Sequence, residues 1–387
     1  MTERARILLA ITVYNGRDLV LAAVESACAI DTSTHDVNVL VLDDHSPDPG
    51  WSEELASVCA ERSVRYYCTP RNLGIPRNVN LGLLAAHDGG YSHVLIANSD
   101  VLFPHNLVDR LIAASESDNS IASVTAWSNN AGIYSIPNDD PVACLRDLER
   151  VSWLSETLRD EYDDRTIDVP AGISFCILIP TWAVAEVGLM DPVFGRGYCE
   201  ETDWTLRSQS LGYRCTVALG VFVYHAGQGS NETAGLLRQG ATTVDQHEAI
   251  VDMRYPTFRA DVGAYMASGM LDDLHAQCCL TICRSAAREF GYSVEMGRLS
   301  QSGSHIGPTI IIDTGDPDPV SVRYLGFNAS LGLTGSPDEG DIGLLIREFG
   351  GGPPRDVNVL DRGPHTQDLV ESLGGSTVDT PIYPARV

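Results

Sequence analysis

The stretch Ile7-Leu-Leu-Ala-Ile-Thr-Val13 is an unbroken run of aliphatic and β-branched residues, which is typical of a strand buried on both faces of a sheet. Helical spacing follows over residues 18–29, and a second apolar run occupies residues 37–42. The same alternation continues in helices over 52–62, 78–86 and 106–115 and in strands over 64–68, 93–97 and 121–125. Strands that alternate with helices predict crossover units, and therefore an α/β fold with a mainly parallel sheet flanked by helices.

A second block with the same texture covers residues 167–227. It contains a strand over 173–179, helices over 182–187 and 200–211, and a strand over 216–224 that ends at His225. Beyond this block, Gly, Ser and Thr dominate to about residue 243, and the alternation of strand and helix patterns becomes less regular. We therefore predict a domain over 1–230 and an additional α/β or α+β region over 231–387. In that region the sequence predicts a helix over 271–290 and strands over 309–312 and 342–346.

The charge balance restricts the possible ligands. The chain carries 26 basic and 52 acidic residues, a net charge of −26, and every basic side chain is Arg. Such a field repels nucleic acid and anionic membrane surfaces. The absence of Lys excludes lysine Schiff-base chemistry and a phosphate loop with its usual lysine. A diphosphate ligand would have to be met locally by a metal ion, arginines or backbone amides.

Membrane and secretory features are not predicted. The apolar runs fall short of the about 20 residues that a bilayer crossing needs. No small-residue cleavage site follows the apolar run at residues 7–13. We therefore expect a cytoplasmic protein without a transmembrane segment.

The ten cysteines form no CxxC pair, which argues against a zinc ribbon. Cys278, Cys279 and Cys283 lie together on the predicted helix over 271–290. We expect them to be buried as small hydrophobic side chains, with a metal or redox role as the alternative.

In mainly parallel sheets, ligands bind beyond the carboxyl ends of the strands. Polar residues follow the predicted strands at Tyr14-Asn15, Asp43-Asp44, Asn72 and Asn98-Ser99-Asp100. Each motif also has a structural interpretation. Asp43-Asp44 with Ser46 and Pro47 is typical of a turn, Asn98–Asp100 of a helix cap, and a lone histidine at a strand end is often structural.

Seven short motifs resemble, in their order along the chain, the inverting family 2 glycosyltransferases, which have a GT-A fold and use nucleotide-sugar donors. The motifs are Thr12-Val-Tyr-Asn15, Val41-Leu-Asp-Asp-His-Ser46, Asn72-Leu-Gly74 with Asn78 and Gly82, Ala97-Asn-Ser-Asp100, Gly172, Glu200-Glu-Thr-Asp-Trp204 and Tyr224-His225. The Asn-x-Asp form and the Asn-Leu-Gly segment are similar to rhamnosyltransferases and related bacterial members. The resemblance spans about residues 5–230.

The resemblance implies a donor site at the carboxyl ends of the strands. Its members would be Thr12, Tyr14, Asn15, Asp43, Asp44, Asn72, Gly74, Arg77, Asn78, Asn98, Ser99 and Asp100. One carboxylate of the Asp43-Asp44 pair would accept from the N–H face of a pyrimidine or related base. His45 is more often Gly or Asn in the family, so the base stays open. Asp100 and His225 would hold Mn²⁺ or Mg²⁺, with Asn98 at the first acidic position of the Asp-x-Asp motif.

The acidic segment at the start of the predicted helix over 200–211 has two interpretations. Acidic residues in a first turn complement the helix dipole. The resemblance instead implies that Glu201 is the general base, and that Glu200, Asp203 and Trp204 contact the acceptor. Transfer of a glycosyl group to an alcohol needs a group that accepts the hydroxyl proton.

These expectations combine into one function and two alternatives. The predicted function is metal-dependent, inverting transfer of a sugar from a nucleotide-diphosphate donor to a hydroxyl acceptor, which could be a glycan, a lipid-linked molecule or a small molecule. A sugar-1-phosphate nucleotidyltransferase is disfavoured because the glycine-rich loop and lysine are missing. A non-catalytic nucleotide-sugar-binding module is the other alternative. Residues 231–387 would select acceptors or form a homo-oligomer.

Overall fold

The computed structural model of the protein describes residues 4–137, 146–227, 243–297, 307–313, 320–332, 339–360, 366–374 and 377–378. The chain divides into two compact units. The first comprises Met1–Ser135 and Leu145–Gly269, and the second comprises Ile136–Cys144 and Met270–Val387. The predicted boundary near residue 230 concerns domains that fold independently, which the division into compact units does not test. It therefore stays a prediction.

The first unit is built on a large sheet. Its strands are β1 (Arg6–Val13), β2 (Asp36–Asp43), β3 (Arg65–Cys68), β4 (His93–Asn98), β5 (Val101–Leu102), β6 (Ile121–Trp127), β7 (Thr166–Asp168), β8 (Cys176–Pro180), β9 (Arg214–Phe222) and β10 (Tyr224–His225). Eight of these strands form one sheet in the order β3-β2-β1-β4-β8-β6-β9-β7. Strands β1 to β4 are parallel, β6 is parallel to β9, and β8 and β7 are antiparallel to their neighbours. The predicted mainly parallel α/β sheet is confirmed.

The first unit also contains helices, several of which pack against this sheet. They are α1 (Arg17–Cys28), α2 (Trp51–Glu61), α3 (Ile75–Asp88), α4 (Leu107–Glu116), α5 (Leu148–Tyr162), α6 (Thr181–Val187), α7 (Glu200–Ser210), α8 (Thr243–Arg254) and α9 (Phe258–Ala267). Helix α3 packs very closely on the sheet, because a Cβ at Gly82 would lie 2.9 Å from the Cβ of Ala10. The core beneath it is aliphatic and includes Leu8, Leu42 and Ile96.

Parallel strands place their carboxyl ends at one edge of the sheet. Val13, Asp43, Cys68 and Asn98 end β1, β2, β3 and β4, so the predicted donor residues start from that edge. A separate two-stranded sheet pairs β5 with β10 in antiparallel register, with His225 opposite Val101. This pairing places His225 beside Val101, the residue that follows Asp100.

The second unit has its own mixed sheet and confirms the predicted additional α/β or α+β region. Its elements are α10 (Met270–Phe290), β11 (Ser293–Gly297), β12 (Thr309–Asp313), β13 (Val320–Tyr324), β14 (Phe327–Ser330), α11 (Glu339–Gly350), β15 (Val357–Val359), α12 (Thr366–Leu373) and β16 (Thr377–Val378). The strand order is β14-β13-β12-β11-β15-β16. On α10, Cys278, Cys279 and Cys283 are buried, as predicted.

The strand predicted over residues 342–346 is wrong, because these residues lie in α11. A short apolar run does not distinguish a strand from a buried helix face. The buried positions Gly343, Ile346 and Phe349 repeat every three residues, with Gly350 buried at the helix end, while Leu344 is 50% exposed. Among the described helices of the chain, none is long and apolar enough to cross a membrane.

Candidate active site

Asp44 organises the loop after β3. Its Oδ1 accepts from the Leu73 amide at 2.7 Å and its Oδ2 accepts from the Gly74 amide at 2.8 Å. Gly74 has a φ of +83°, and a Cβ there would lie 2.0 Å from the carbonyl oxygen of Gly195. Only glycine fits this close approach. Asp44 therefore holds the Asn72–Gly74 segment against the loop that leads to α7.

Asp43 is fully buried and surrounded by donors. It accepts from the Ser46 amide at 2.9 Å and from three hydroxyls, those of Ser46 (2.7 Å), Ser52 (2.6 Å) and Tyr66 (2.7 Å). Burial raises the pKa of Asp43, but these hydrogen bonds outweigh it and hold the pKa below its usual value. Both carboxylates of the predicted base-binding pair are thus satisfied by the protein itself.

Two carboxamides at the same edge keep a free acceptor. Asn15, at a φ of +59°, donates its backbone N–H to Ser46 Oγ at 2.9 Å. Asn78 donates its Nδ2 to the Leu42 carbonyl at 3.0 Å. Both side chains are buried, and in both the Oδ1 has no hydrogen-bond partner among the described residues. Buried acceptors of this kind need a donor, and the N–H or O–H groups of a nucleotide can supply one.

The remaining predicted donor residues lie around this edge. Thr12 donates its Oγ1 to the Ala97 carbonyl at 3.2 Å. Tyr14 and Asn72 are half-buried, Ser99 is buried and Arg77 is exposed. The half-buried side chains can contact a ligand, whereas Thr12 mainly joins β1 to β4.

Asp100 and His225 contact each other where β5 pairs with β10. The Nε2 of His225 lies 3.2 Å from Asp100 Oδ1 and 3.5 Å from Asn98 Nδ2. On the other side of the ring, Nδ1 lies 2.6 Å from the Asn130 carbonyl oxygen, which can only accept, so Nδ1 carries the hydrogen. A neutral ring would then turn the Nε2 lone pair towards a carboxylate. Either a proton or a cation must lie between these two atoms.

The electrostatics agree with that geometry. Burial lowers the pKa of His225, but the hydrogen bond and charge of Asp100 and the Asn130 carbonyl outweigh it and raise the pKa above its usual value. A divalent cation can replace the Nε2 proton, since imidazole nitrogen and carboxylate oxygen are ordinary metal ligands. The described residues contain no group of three His, Cys, Asp or Glu that could hold a metal. Asp100 and His225 could therefore hold a cation that takes its other ligands from a diphosphate and water.

Sequence reasoning missed Asn129 and Arg146. Asn129 donates Nδ2 to the His225 carbonyl at 2.8 Å and accepts from the His225 amide at 2.9 Å, which fixes the backbone of β10. Arg146 lines a cavity of about 210 Å³ that Asp100 and Tyr224 also line. The polar run after β6 could have indicated Asn129, whereas no pattern indicated Arg146.

Glu200 and Glu201 begin α7 as a carboxyl pair. Glu200 is buried and Glu201 half-buried, and the Oε2 of each is buried without a hydrogen-bond partner among the described residues. Burial and the charge of Glu201 raise the pKa of Glu200 well above its usual value. Burial also raises the pKa of Glu201. Like charges this close oppose ionisation of both carboxyls at once, and the pair keeps two acceptor atoms for an incoming hydroxyl.

The raised pKa of Glu200 predicts a pH-dependent stability. A carboxyl whose folded pKa is raised stabilises the fold fully below its unfolded pKa, about 4.3, and this contribution is lost as the pH rises through the folded pKa. We expect Glu200→Gln to raise the melting temperature at pH 7–8 and to leave it unchanged or lower near pH 4. Thermal unfolding from pH 4 to 8 measures this, with the exposed Glu186→Gln as the control. Parallel profiles for wild type and Glu200→Gln would contradict the raised pKa.

Asp203 and Trp204 face the interior. Asp203 is fully buried and accepts from Arg207 Nε at 2.9 Å, Arg254 Nη1 at 2.7 Å and the Tyr255 hydroxyl at 3.0 Å. The Trp204 indole is also fully buried and donates to the Gly188 carbonyl at 2.8 Å. Neither side chain has an exposed face for an acceptor, so both position α7. Arg254 comes from α8 and was missed because it lies beyond the predicted domain boundary.

Known proteins resemble this chain in sequence and in fold. Residues 9–179 match the sequence model of the family described as glycosyl transferase family 2. The fold is similar to a mannosyltransferase from Pyrobaculum calidifontis, PcManGT, solved with GDP-Man and Mn²⁺, at 17% identity and a TM-score of 0.47 over 74% of this chain and 76% of that one. It is also similar to GalNAc-T7, solved with UDP, GalNAc and Mn²⁺, at 12% identity and a TM-score of 0.49 over 65% of this chain and 48% of that one. No curated protein matches the chain significantly.

Proposed function

We propose that this chain, whose residues 9–179 match the sequence model of glycosyl transferase family 2, moves a sugar from a nucleotide-diphosphate donor to a hydroxyl acceptor with inversion at the anomeric carbon. The observation that carries the proposal is the carboxyl pair Glu200–Glu201, whose buried Oε2 atoms have no partner among the described residues. Such atoms are expensive to bury unless a ligand completes their hydrogen bonding.

The donor side of the reaction concerns charge. Asp100 and His225 would hold Mn²⁺ or Mg²⁺, which would supply positive charge to offset the charge on a departing diphosphate. Arg146 lines the cavity beside Asp100 and supplies a guanidinium that suits phosphate oxygens. Such local positive charge is needed because the chain as a whole carries −26.

The acceptor side concerns one proton. Burial raises the pKa of both carboxyls, and we assign Glu201 as the carboxylate and Glu200 as its neutral neighbour. As the acceptor oxygen bonds to the anomeric carbon, its proton passes to Glu201. The bond from the anomeric carbon to the diphosphate oxygen breaks, and its electron pair leaves with the diphosphate. One in-line displacement of this kind inverts the anomeric centre and needs no nucleophile from the protein.

The alternatives fit the site less well. A sugar-1-phosphate nucleotidyltransferase needs groups that activate a phosphate, and Val13-Tyr-Asn-Gly-Arg17 lacks the glycine-rich loop and the lysine. A binding module without catalysis would have no need of two buried carboxyls whose missing hydrogen bonds destabilise the fold. Turnover in the presence of an acceptor separates both alternatives from transfer.

A donor panel tests the proposal directly. We expect one nucleotide sugar, with Mn²⁺ or Mg²⁺, to raise the melting temperature by roughly 5 °C, because a ligand at 100 times its Kd stabilises the fold by about 2.7 kcal/mol. The same donor, carrying a labelled sugar, should then label an acceptor alcohol. The free nucleotide without metal is the control. Stabilisation by no nucleotide sugar in the panel, or donor breakdown unaffected by any acceptor, would contradict the proposal.

A further inference from the structure

A second cavity of the first unit lies far from the candidate active site. It has a volume of about 640 Å³ and opens where Arg6 begins β1 and Ser92 precedes β4. The candidate site lies at the opposite edge, where β1 ends at Val13. Seven residue steps of about 3.3 Å separate the two ends of β1, so the cavity lies about 20 Å or more from the donor residues.

An aromatic surface forms one part of this cavity. Trp182, in the first turn of α6, lines it and is 38% exposed, although large aromatic side chains are usually well covered. The indole packs against Tyr213 with ring centroids 5.0 Å apart and an interplanar angle of 58°. The ring is thus held on one side by the protein and offers apolar area to the cavity. An apolar ring face suits the C–H face of a pyranose.

Guanidinium groups form another part. Arg6 lies over the Tyr91 ring at 4.8 Å and donates its Nη1 to the Gly90 carbonyl at 3.0 Å. Among the described residues, no carboxylate pairs with Arg6, although Glu116 also lines the cavity. Arg4 differs, because Asp36 accepts from its Nε at 2.6 Å. Arg6 therefore retains guanidinium donors in a strongly acidic chain, and planar donors of this type suit a carboxylate or phosphate.

We propose that this cavity binds an anionic saccharide, with a pyranose ring against Trp182 and its carboxylate or phosphate on Arg6. The class of ligand rests on the proposed function, since a glycosyltransferase handles saccharides. The distance from the donor edge assigns the cavity to a remote part of an elongated acceptor. A second attachment point raises the effective concentration of the acceptor end at the reacting centre.

Calorimetric titration of the full chain with tetragalacturonic acid tests the site, with maltotetraose as the uncharged comparison. We expect tetragalacturonic acid to bind at least about tenfold more tightly, and Trp182→Ala and Arg6→Gln each to lower its affinity about tenfold, the effect of losing about 1.4 kcal/mol. Trp182→Phe keeps an aromatic face and should retain binding within a few-fold. Tyr67→Ala and Arg62→Gln remove an exposed aromatic and an exposed arginine elsewhere, and should bind like wild type.

Each outcome separates this site from the active site. Failure of wild type to bind tetragalacturonic acid, or full binding by both cavity variants, overturns the proposal. If Trp182→Ala weakens a nucleotide sugar instead, the cavity belongs to the donor and the proposal is wrong. If the tetrasaccharide binds through Trp182 and Arg6 while no sugar is transferred, the proposed function fails and the cavity site stands. The melting temperature of every variant, measured by thermal unfolding, distinguishes a loss of binding from a loss of the folded structure.

Discussion

Asp100→Asn is expected to lower kcat/KM by about 10³-fold and to weaken donor binding. Of the two protein groups that could hold a cation, the substitution removes the carboxylate. A metal contributes several kcal/mol of transition-state charge stabilisation, and each 1.4 kcal/mol or so corresponds to roughly a tenfold change in rate. It also removes the charge that faces His225 Nε2 at 3.2 Å. Initial rates over a range of donor concentrations, together with donor titrations, measure both effects.

Chelation provides the matched test of the same site. EDTA should abolish transfer by wild type, and added Mn²⁺ or Mg²⁺ should restore it, whereas Asp100→Asn should recover little. Asp88→Asn, at an exposed carboxylate, should behave like wild type. Full activity in excess EDTA would remove the metal from the mechanism and leave His225 with a structural role.

The architecture of the first unit could be predicted because its strands are buried on both faces. Strand β4, for example, is an apolar run between turn residues, and the predicted and observed bounds differ by one residue, 93–97 against His93–Asn98. The resemblance to family 2 glycosyltransferases could also be predicted, because the order of the motifs along the chain can be read without knowledge of contacts. The match over residues 9–179 confirms it.

The site geometry could be predicted only in part. Strands β5 and β10 have two residues each, too short for any periodicity, so the contact between Asp100 and His225 followed from family resemblance alone. The acceptor interpretation of Asp203 failed to anticipate Arg254, which reaches it from 51 residues further along the chain. Long-range ion pairs of this kind leave no local pattern. The burial of Trp204 could not be predicted from the sequence either, because a tryptophan can pack in a hydrophobic core or stack on a sugar.

Glu201→Gln is expected to lower kcat by about 10²–10⁴-fold while donor affinity changes little, which is the usual contribution of a positioned general base. Glutamine keeps the shape of the side chain but cannot accept the acceptor proton. Because burial raises the pKa of Glu201, the acid limb of the wild-type pH–rate profile should lie above the ordinary glutamate range near pH 4.3. Single-turnover rates from pH 5 to 9, with donor affinity measured in parallel, give both quantities.

Glu200→Gln is the matched control, because neighbouring residues on a helix point about 100° apart. If Glu200 is the neutral acid beside the base, glutamine replaces a neutral acid with a neutral amide, and kcat should stay within about tenfold of wild type. Because a neutral acid has no charge to remove, the acid limb of the pH–rate profile should keep its wild-type position. A large loss in Glu200→Gln with an active Glu201→Gln would place the base at Glu200. If neither substitution slows transfer, the carboxyl pair serves the amino terminus of α7, and the base must be sought elsewhere.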